Sequence, residues 1–153
     1  MGNKVCIDGI WYCLNKEIKE ATVTRSDNKE EKYQGEVVIP EVVVYEGEEY
    51  AVTHIEGLAF YGCSELTSIT IPESVMYIGH GAFTRCCGLT SIVVAENNAI
   101  YDSRNNCNAI IETKSNTLIA GCSTTIIPES VTKIGGSAFS GCKGLTSITI
   151  PEN

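Results

Sequence analysis

Residues 134–151 read Ile134-Gly-Gly-Ser-Ala-Phe-Ser-Gly-Cys-Lys-Gly-Leu-Thr-Ser-Ile-Thr-Ile-Pro151, and the fold can be inferred from this segment. It is almost a copy of residues 55–72 and of residues 78–95. The copies share the pattern Ile-x-x-x-Ala-Phe-x-x-Cys-x-x-Leu-Thr-Ser-Ile-x-(Ile/Val) and hold every phenylalanine of the chain. A unit that cannot bury its apolar side alone does so by stacking on its neighbours. The pattern therefore predicts a β-rich solenoid, and it does not name a ligand.

Each copy is expected to form one turn of the solenoid. Ile55 and Ile78 are 23 residues apart, which is within the range of leucine-rich repeats. In residues 66–71 apolar side chains alternate with Ser and Thr, as in a half-buried strand, and Pro72 ends the strand. A short helical or 3₁₀ segment is then expected to carry three core-facing residues, Ala82, Phe83 and Cys86.

Residues 1–54 are not repeats and are predicted to form a β-rich N-terminal cap, which leaves 55–153 as the solenoid domain. Asp8-Gly9 and Glu46–Glu49 each lie between apolar runs and predict two β-hairpins. A stacked array exposes apolar core at its end unless a different segment covers it. Further strand-like runs are residues 20–25 and 36–40.

A β-hairpin insert is expected at about residues 100–123. Two strand-like runs, 108–113 and 117–122, surround a polar turn. A turn centred there brings Cys107 and Cys122 face to face, so that either a disulfide or a pair of buried thiols is expected.

Three of the eight cysteines occupy the same place in each copy. Equivalent positions in a solenoid stack about 5 Å apart, like neighbouring strands. We therefore predict that Cys63, Cys86 and Cys142 form a structural ladder of reduced thiols. The neighbouring Cys87 is expected to point outward and to be the most reactive thiol.

The formal net charge of −8 is concentrated in the N-terminal third, where residues 1–57 hold 12 acidic and 6 basic side chains. An acidic surface without a basic stripe argues against nucleic acid and anionic lipid as partners. No apolar run is long enough for a transmembrane helix. Met1–Cys6 lacks the apolar core of a signal peptide, so the protein is either intracellular or exported by a signal outside this sequence.

No catalytic, cofactor or metal motif is present. His54 and His80 occupy non-equivalent repeat positions, and no Cys-x-x-Cys or His-x-x-x-His spacing occurs. We therefore predict no metal, no cofactor and no enzymatic activity. An enzyme remains an alternative if the insert gathers Asp102, Arg104 and Glu112 in one pocket.

The unit Ala-Phe-x-x-Cys-x-x-Leu-Thr-Ser-Ile-x-Ile-Pro-x-Ser-Val-x-x-Ile-Gly resembles the BspA-like leucine-rich-repeat family. The likeness is strong over residues 36–153 and includes the Asn-Cys-Asn-Ala-Ile-Ile insert. It implies a right-handed solenoid without catalytic residues. It also implies export to the cell surface of host-associated bacteria or protists, and adhesion to host or microbial proteins.

The candidate binding surface is a flat Thr/Ser strip on the predicted sheet, and its alternative interpretation is a set of ordinary solvent-facing strand residues. Its residues are Thr67, Ser68, Thr70, Thr90, Ser91, Val93, Thr146, Ser147 and Thr149. Two expectations stay open for Tyr61, Tyr77 and Tyr101: each is either an exposed anchor for a partner or a side chain that covers the edge of the core.

The leading functional hypothesis is thus a protein-binding module of a cell-surface or secreted protein. The alternative is a structural spacer or fragment of a longer repeat protein. The apolar end face after residue 150 also predicts end-on self-association through the last copy.

Overall fold

The computed structural model describes residues 4–152. Met1–Asn3, part of the segment without a signal-peptide core, and Asn153 lie outside the described residues. The described residues form thirteen strands and one short 3₁₀ turn, Arg104–Asn106, which confirms the predicted β-rich fold. The strands are β1 (Lys4–Ile7), β2 (Ile10–Asn15), β3 (Glu20–Thr24), β4 (Gly35–Val38), β5 (Val42–Tyr45), β6 (Glu48–Ile55), β7 (Leu66–Ile71), β8 (Tyr77–Ile78), β9 (Ser91–Val94), β10 (Tyr101–Asp102), β11 (Ala109–Glu112), β12 (Thr117–Gly121) and β13 (Lys133–Ile134).

Both predicted N-terminal hairpins are present. Asp8-Gly9 joins β1 to β2, and Glu46-Gly47 joins β5 to β6. All four turn residues have positive φ, between 50° and 85°. Two-residue turns with positive φ match the twist of the paired strands, and Gly tolerates this backbone without strain. The second turn is therefore tighter than the four residues expected.

Parallel strand pairing joins the first two repeat copies. His54 of β6 pairs with Tyr77 of β8, and Ser68 of β7 pairs with Ser91 of β9, so that each pair links residues 23 positions apart. Every Leu-Thr-Ser-Ile strand of these two copies thus lies beside its equivalent, as stacked repeats require.

Segments that precede residue 55 take part in the same sheets. β3 pairs in parallel with β6, and β4 pairs in parallel with β7, with Val38 opposite Thr70. The Glu-Val-Val-Ile-Pro segment is therefore an additional strand beside the first repeat copy. The division of the chain at residue 55 stays a prediction.

The bend that follows the strands is a run of β-turns, not the helical or 3₁₀ segment that the spacing of its apolar residues predicted. In each copy two positions have a left-handed backbone, namely Leu58, Gly81 and Ser137 at the first and Gly62, Arg85 and Gly141 at the second. Left-handed residues interrupt a right-handed helix. The N–H groups therefore bond three residues back in separate turns, as from Cys63 to Phe60 and from Cys86 to Phe83. The helical prediction is wrong for these bends.

The insert forms a separate sheet in the order β10-β11-β12-β13. β11 and β12 are antiparallel and are joined by residues 113–116, which is the predicted hairpin. β13, from the last repeat copy, pairs in parallel with β12, with Leu118 opposite Ile134. The strand at the start of the last copy therefore stacks on the insert and not on β8.

Two apolar clusters form the core. The larger extends from the first hairpin through the second repeat copy into the insert. Within it the rings of Phe60 and Phe83 stack at 5.1 Å, and Tyr33 packs on Phe60 at 4.7 Å. The smaller cluster lies between the insert and the last copy, and its buried members are Cys107, Ala109, Ile111, Leu118, Ile127, Val131 and Ala138.

Candidate functional site

The outer face of the β4–β7–β9 sheet carries most of the residues predicted for binding. Two continuous rows cross its three strands, because neighbouring strands lie about 5 Å apart. We call these rows together the sheet-face strip. The polar row is Glu36, Ser68 and Ser91, and the β-branched row is Val38, Thr70 and Val93.

Threonines beside the strip link successive layers of the sheet. The carbonyl of Thr67 accepts hydrogen bonds from Thr90 N at 3.0 Å and from Thr90 Oγ1 at 3.3 Å. Thr124 Oγ1 donates in turn to the carbonyl of Thr90 at 2.5 Å. All three side chains are exposed. The predicted binding residues of the first two copies therefore come together on one face.

The structure does not bring Thr146, Ser147 and Thr149 into this sheet. Within the described residues, 145–150 pair with no strand. A cavity of about 590 Å³ lies between Ser147 and residues 125–129. The end of the insert occupies the layer next to β9, and the place of these three residues in the strip beyond the insert stays a prediction.

Thr124 and Ile126 follow β9 in the stack, and the sequence interpretation missed them. Thr124 and Ile126 precede Pro128 by the same spacings as Ser68 and Thr70 precede Pro72. Thr124 therefore belongs to the polar row and Ile126 to the β-branched row. Ile126 is 78% exposed, Val38 65% and Val93 46%. The candidate surface is therefore more apolar than the Thr/Ser pattern predicted.

The cysteine ladder is uneven. Cys63 and Cys86 are buried, and Cys86 Sγ lies 3.1 Å from the carbonyl oxygen of Phe60. Burial raises the pKa of Cys63, and it raises the pKa of Cys86 to about 12. Cys142 is half-buried, with Sγ 3.7 Å from the carbonyl oxygen of Gly121. Protonated thiols are poor nucleophiles, which agrees with a structural role, although that role stays a prediction.

All eight cysteines are free thiols in the structure. Cys107 and Cys122 are both buried, so the structure has the thiol alternative at this pair and not the disulfide. Cys122 Sγ lies 3.4 Å from the carbonyl oxygen of Asn108. Cys87 is half-buried, and the exposed thiol is Cys6.

One of the three candidate tyrosine anchors is a core residue. Tyr101 is 4% exposed, and its hydroxyl accepts a hydrogen bond from Ile78 N at 2.9 Å. Burial raises the pKa of this phenol. Of the two expectations for Tyr101, the structure therefore has the one in which this side chain covers the core, because β10 packs it onto the second copy. Tyr77 is 55% exposed and lies 5.8 Å from the ring of His54, whereas Tyr61 is half-buried.

Asp102, Arg104 and Glu112 do not form a catalytic cluster. Arg104 Nη2 lies 2.6 Å from Asp102 Oδ2, and Arg104 Nη1 donates to Asn116 Oδ1 at 2.7 Å. Burial disfavours the charged carboxylate of Asp102, but hydrogen bonds led by Arg104 outweigh it and lower its pKa. Glu112 accepts instead from Ser115 Oγ. Arg104 and Asp102 therefore pair with each other within the insert, without Glu112.

The histidines lie apart from any cluster of ligating groups. His54 Nδ1 is 2.8 Å from Thr53 Oγ1, and His80 is exposed. Within residues 4–152, no three His, Cys, Asp or Glu side chains lie close enough together to hold a metal ion. None of the helical segments in that part of the chain is long and apolar enough to cross a membrane. The sheet-face strip is the candidate site that remains.

Comparison with known proteins gives a consistent picture. A family model described as the BspA type leucine rich repeat region matches residues 48–123 and 115–153, with six copies. A leucine-rich repeat protein from Bacteroides ovatus is 28% identical, with a TM-score of 0.61 over 96% of this chain and 41% of that one. Another from Bacteroides capillosus is 26% identical, with a TM-score of 0.56 over 95% of this chain and 96% of that one.

A leucine rich cell surface protein from Faecalibacterium prausnitzii is 19% identical, with a TM-score of 0.55 over 97% of this chain and 55% of that one, which shows a shared fold. A search of curated protein sequences found no match. The chain thus spans well under two thirds of the Bacteroides ovatus and Faecalibacterium prausnitzii proteins.

Proposed function

We propose, because the chain belongs to the BspA-type leucine-rich-repeat family, that it is a non-enzymatic module which binds protein at a cell surface or after secretion. Leucine-rich-repeat families typically act as binding modules. One of the similar structures is described as a cell surface protein. The observation that carries the proposal is the sheet-face strip, with its exposed Val38 and Val93.

The strip suits protein recognition because its outward side chains stand on strands that the core holds in place. Val37, Ile69 and Ile92 alternate with the outward residues and are buried in the core. Their packing fixes the three strands, so a partner does not have to order a flexible loop on binding. Hydroxyl groups beside apolar β-branched side chains offer hydrogen bonds and apolar contact on the same surface.

The proposal includes the architecture around the strip. Residues 1–54 act as the N-terminal cap, and residues 55–153 form a right-handed solenoid with turns of about 23 residues. Parallel pairing over 23 positions between β7 and β9 supports this turn length for the first two copies. Self-association through the last copy stays a prediction.

The test is a binding panel with two double variants. Purified extracellular-matrix proteins, epithelial cells and bacterial cells are offered to the wild type, to Thr70→Arg/Val93→Arg and to Ile18→Arg/Met76→Arg. The control pair lies on exposed positions outside the strip and adds the same charge. We expect the strip variant to lose about tenfold or more in affinity for whichever panel member binds, because central contacts dominate binding energy. The absence of binding above an unrelated solenoid, or equal binding by both variants, contradicts the proposal.

A structural spacer within a longer repeat protein is the second candidate. It is supported by the chain's coverage of 41% of the Bacteroides ovatus structure. A spacer predicts that neither double variant changes binding by a longer protein that contains this chain. A loss in the strip variant alone excludes this role.

A further inference from the structure

The strand β4 has one free edge. Gly35 N donates to the carbonyl of Glu65, and Ile39 N donates to the carbonyl of Thr70. Every second residue, counted from Gly35, therefore directs its backbone N–H and C=O groups to β7. Backbone groups alternate sides along a strand. Those of Glu36 and Val38 therefore point away from β7, and within residues 4–152 β4 pairs with no other strand. An unpaired edge of this kind is a template for an added strand.

Two cavities meet beside this edge. The first, of about 360 Å³, lies between Glu36 and the β1–β2 hairpin and includes Trp11 in its wall. The second, of about 390 Å³, lies between Val38 and β5 and is mainly apolar. Both share Asp8, Ile10 and Val38, so they form one groove along the edge, which we call the β4 groove.

The first half of the β4 groove is acidic. Three carboxylates, those of Asp8, Glu31 and Glu36, line it, and within the described residues none of them forms an ion pair. Glu31 accepts hydrogen bonds from neutral donors, and Lys32, the one lysine in the wall, donates to the carbonyl of Tyr61 at 3.2 Å. A cationic side chain in this half would meet carboxylates that have no cation of their own.

The wall of the apolar half includes a residue with an unpartnered polar atom. Tyr12 is fully buried and lines this cavity, and its hydroxyl has no hydrogen-bond partner among the described residues. An unpaired buried hydroxyl is costly. This observation is independent of the free edge and of the charges.

We infer that the β4 groove binds an extended, positively charged segment of a partner protein, which adds to β4 as a further strand. Main-chain bonds to Glu36 and Val38 supply the pairing, and side-chain pockets supply the selectivity. Side chains on one face of a strand are two residues apart. A Lys or Arg beside Glu36 and an apolar residue beside Val38 therefore occur as a basic-x-apolar sequence. Glu36 and Val38 belong to both the β4 groove and the sheet-face strip, but the strip test changes only Thr70 and Val93, so that failure of one proposal is distinguishable from failure of the other.

The test uses three synthetic peptides without tryptophan. The probe is acetyl-SGKTVTKTSG-amide, one control has Glu in place of each Lys, and the other has Pro in place of the two Thr residues that flank Val. Trp11 is the only tryptophan of the chain and lies in the groove wall, so its emission reports binding. We expect the probe to bind about tenfold more tightly than either control, because one lacks the charge complementarity and the other the backbone donors. Amide hydrogen exchange is expected to slow at Glu36 and Val38.

Two protein variants separate the charge from the edge. Asp8→Asn/Glu36→Gln is expected to weaken probe binding about tenfold, whereas Glu73→Gln/Glu96→Gln, the same charge change at exposed positions elsewhere, is expected to leave it within about twofold. Val38→Pro removes an N–H that does not bond to β7, and it is expected to abolish binding while circular dichroism stays unchanged.

Three results overturn the inference. They are equal binding of all three peptides, no slowing of exchange at Glu36 and Val38 with saturating probe, and unchanged probe affinity in Asp8→Asn/Glu36→Gln. If Val38→Pro fails to fold, the exchange measurement and the charge variants still decide. Loss of the strip function in Thr70→Arg/Val93→Arg has no bearing on this result.

Discussion

The first and last repeat copies have almost the same sequence and different environments. Leu66–Ile71 and residues 145–150 are the same hexapeptide, Leu-Thr-Ser-Ile-Thr-Ile, yet the first is a strand and the second is not. Ile55 is fully buried, whereas its equivalent Ile134 is 37% exposed. β7 has a neighbour on each side, and residues 145–150 pair with none within the described residues. A β-strand is thus a property of the hexapeptide together with its neighbours.

The phenylalanines offer the largest expected difference between the copies. Phe83 is buried and stacks on Phe60, whereas Phe139 is half-buried. We expect Phe83→Ala to lower the free energy of unfolding by about 3–5 kcal/mol, and Phe139→Ala by about half as much. Urea unfolding of both variants measures the difference. Equal losses would show that the last copy is packed as tightly as the second.

The identical hexapeptides allow a comparison at one matched residue. Ile69→Ala empties a fully buried site and is expected to cost about 2–5 kcal/mol, whereas Ile148→Ala, at a partly buried site, is expected to cost less than about 2 kcal/mol. The same urea titrations test this pair. A larger loss at Ile148 would contradict the assignment of β7 as the better packed copy.

At the bends, unlike in the core, a substitution in the last copy is expected to destabilise the protein more than the same substitution in the first copy. Gly62 and Gly141 both have positive φ, so Ala at either site is expected to cost about 1 kcal/mol in backbone strain. A side chain at Gly141 would also place Cβ 2.4 Å from Arg85 Cα, whereas Gly62 has only Lys32 Nζ nearby, at 3.7 Å. We therefore expect Gly141→Ala to cost about 1–3 kcal/mol more than Gly62→Ala. Thermal unfolding compares them, and an equal or larger shift for Gly62→Ala would contradict the close packing of Gly141 against Arg85.

The outward threonines give the smallest expected effect. Thr70 lies on the face of β7, and Thr149 is exposed outside any strand. Thr70→Ala is expected to cost less than about 1 kcal/mol, and Thr149→Ala close to nothing. Urea midpoints measure both. If Thr70→Ala costs as much as Phe83→Ala, the inward and outward assignments of the repeat are wrong.

Local signals in the sequence predicted much of the fold. Asp8-Gly9 and Glu46-Gly47 specify their hairpins through residues that tolerate positive φ. The alternation in Leu66–Ile71 predicts which side chains are buried, and the burial of Leu66, Ile69 and Ile71 agrees. These features depend on neighbouring residues only.

Features that depend on distant contacts were not predictable in the same way. The hexapeptide at 145–150 carries the signal of β7, and only the position of the insert explains why it is not in that sheet. The sequence around Tyr101 does not indicate that this side chain is buried, because its burial depends on the packing of β10 against the second copy. The left-handed backbone at Leu58 and Ser137 has no glycine to reveal it. The alternation of buried and outward side chains along the strands therefore located Ser68, Thr70 and Val93. Thr124 and Ile126 could be placed only once the order in which the layers stack was known.

The duplicated hexapeptide has a consequence for how the chain folds. During folding, β4 can pair with either of two identical hexapeptides, one at residues 66–71 and one at 145–150. The correct loop is about a quarter as long, and loop-closure entropy then favours it by only about 1 kcal/mol. Discrimination must then come mainly from tertiary contacts, because β9 pairs with β7 and the end of the insert lies between β9 and the last copy. A chain that first pairs β4 with residues 145–150 has to separate them again before it can fold, so the repetition of the hexapeptide creates a kinetic trap.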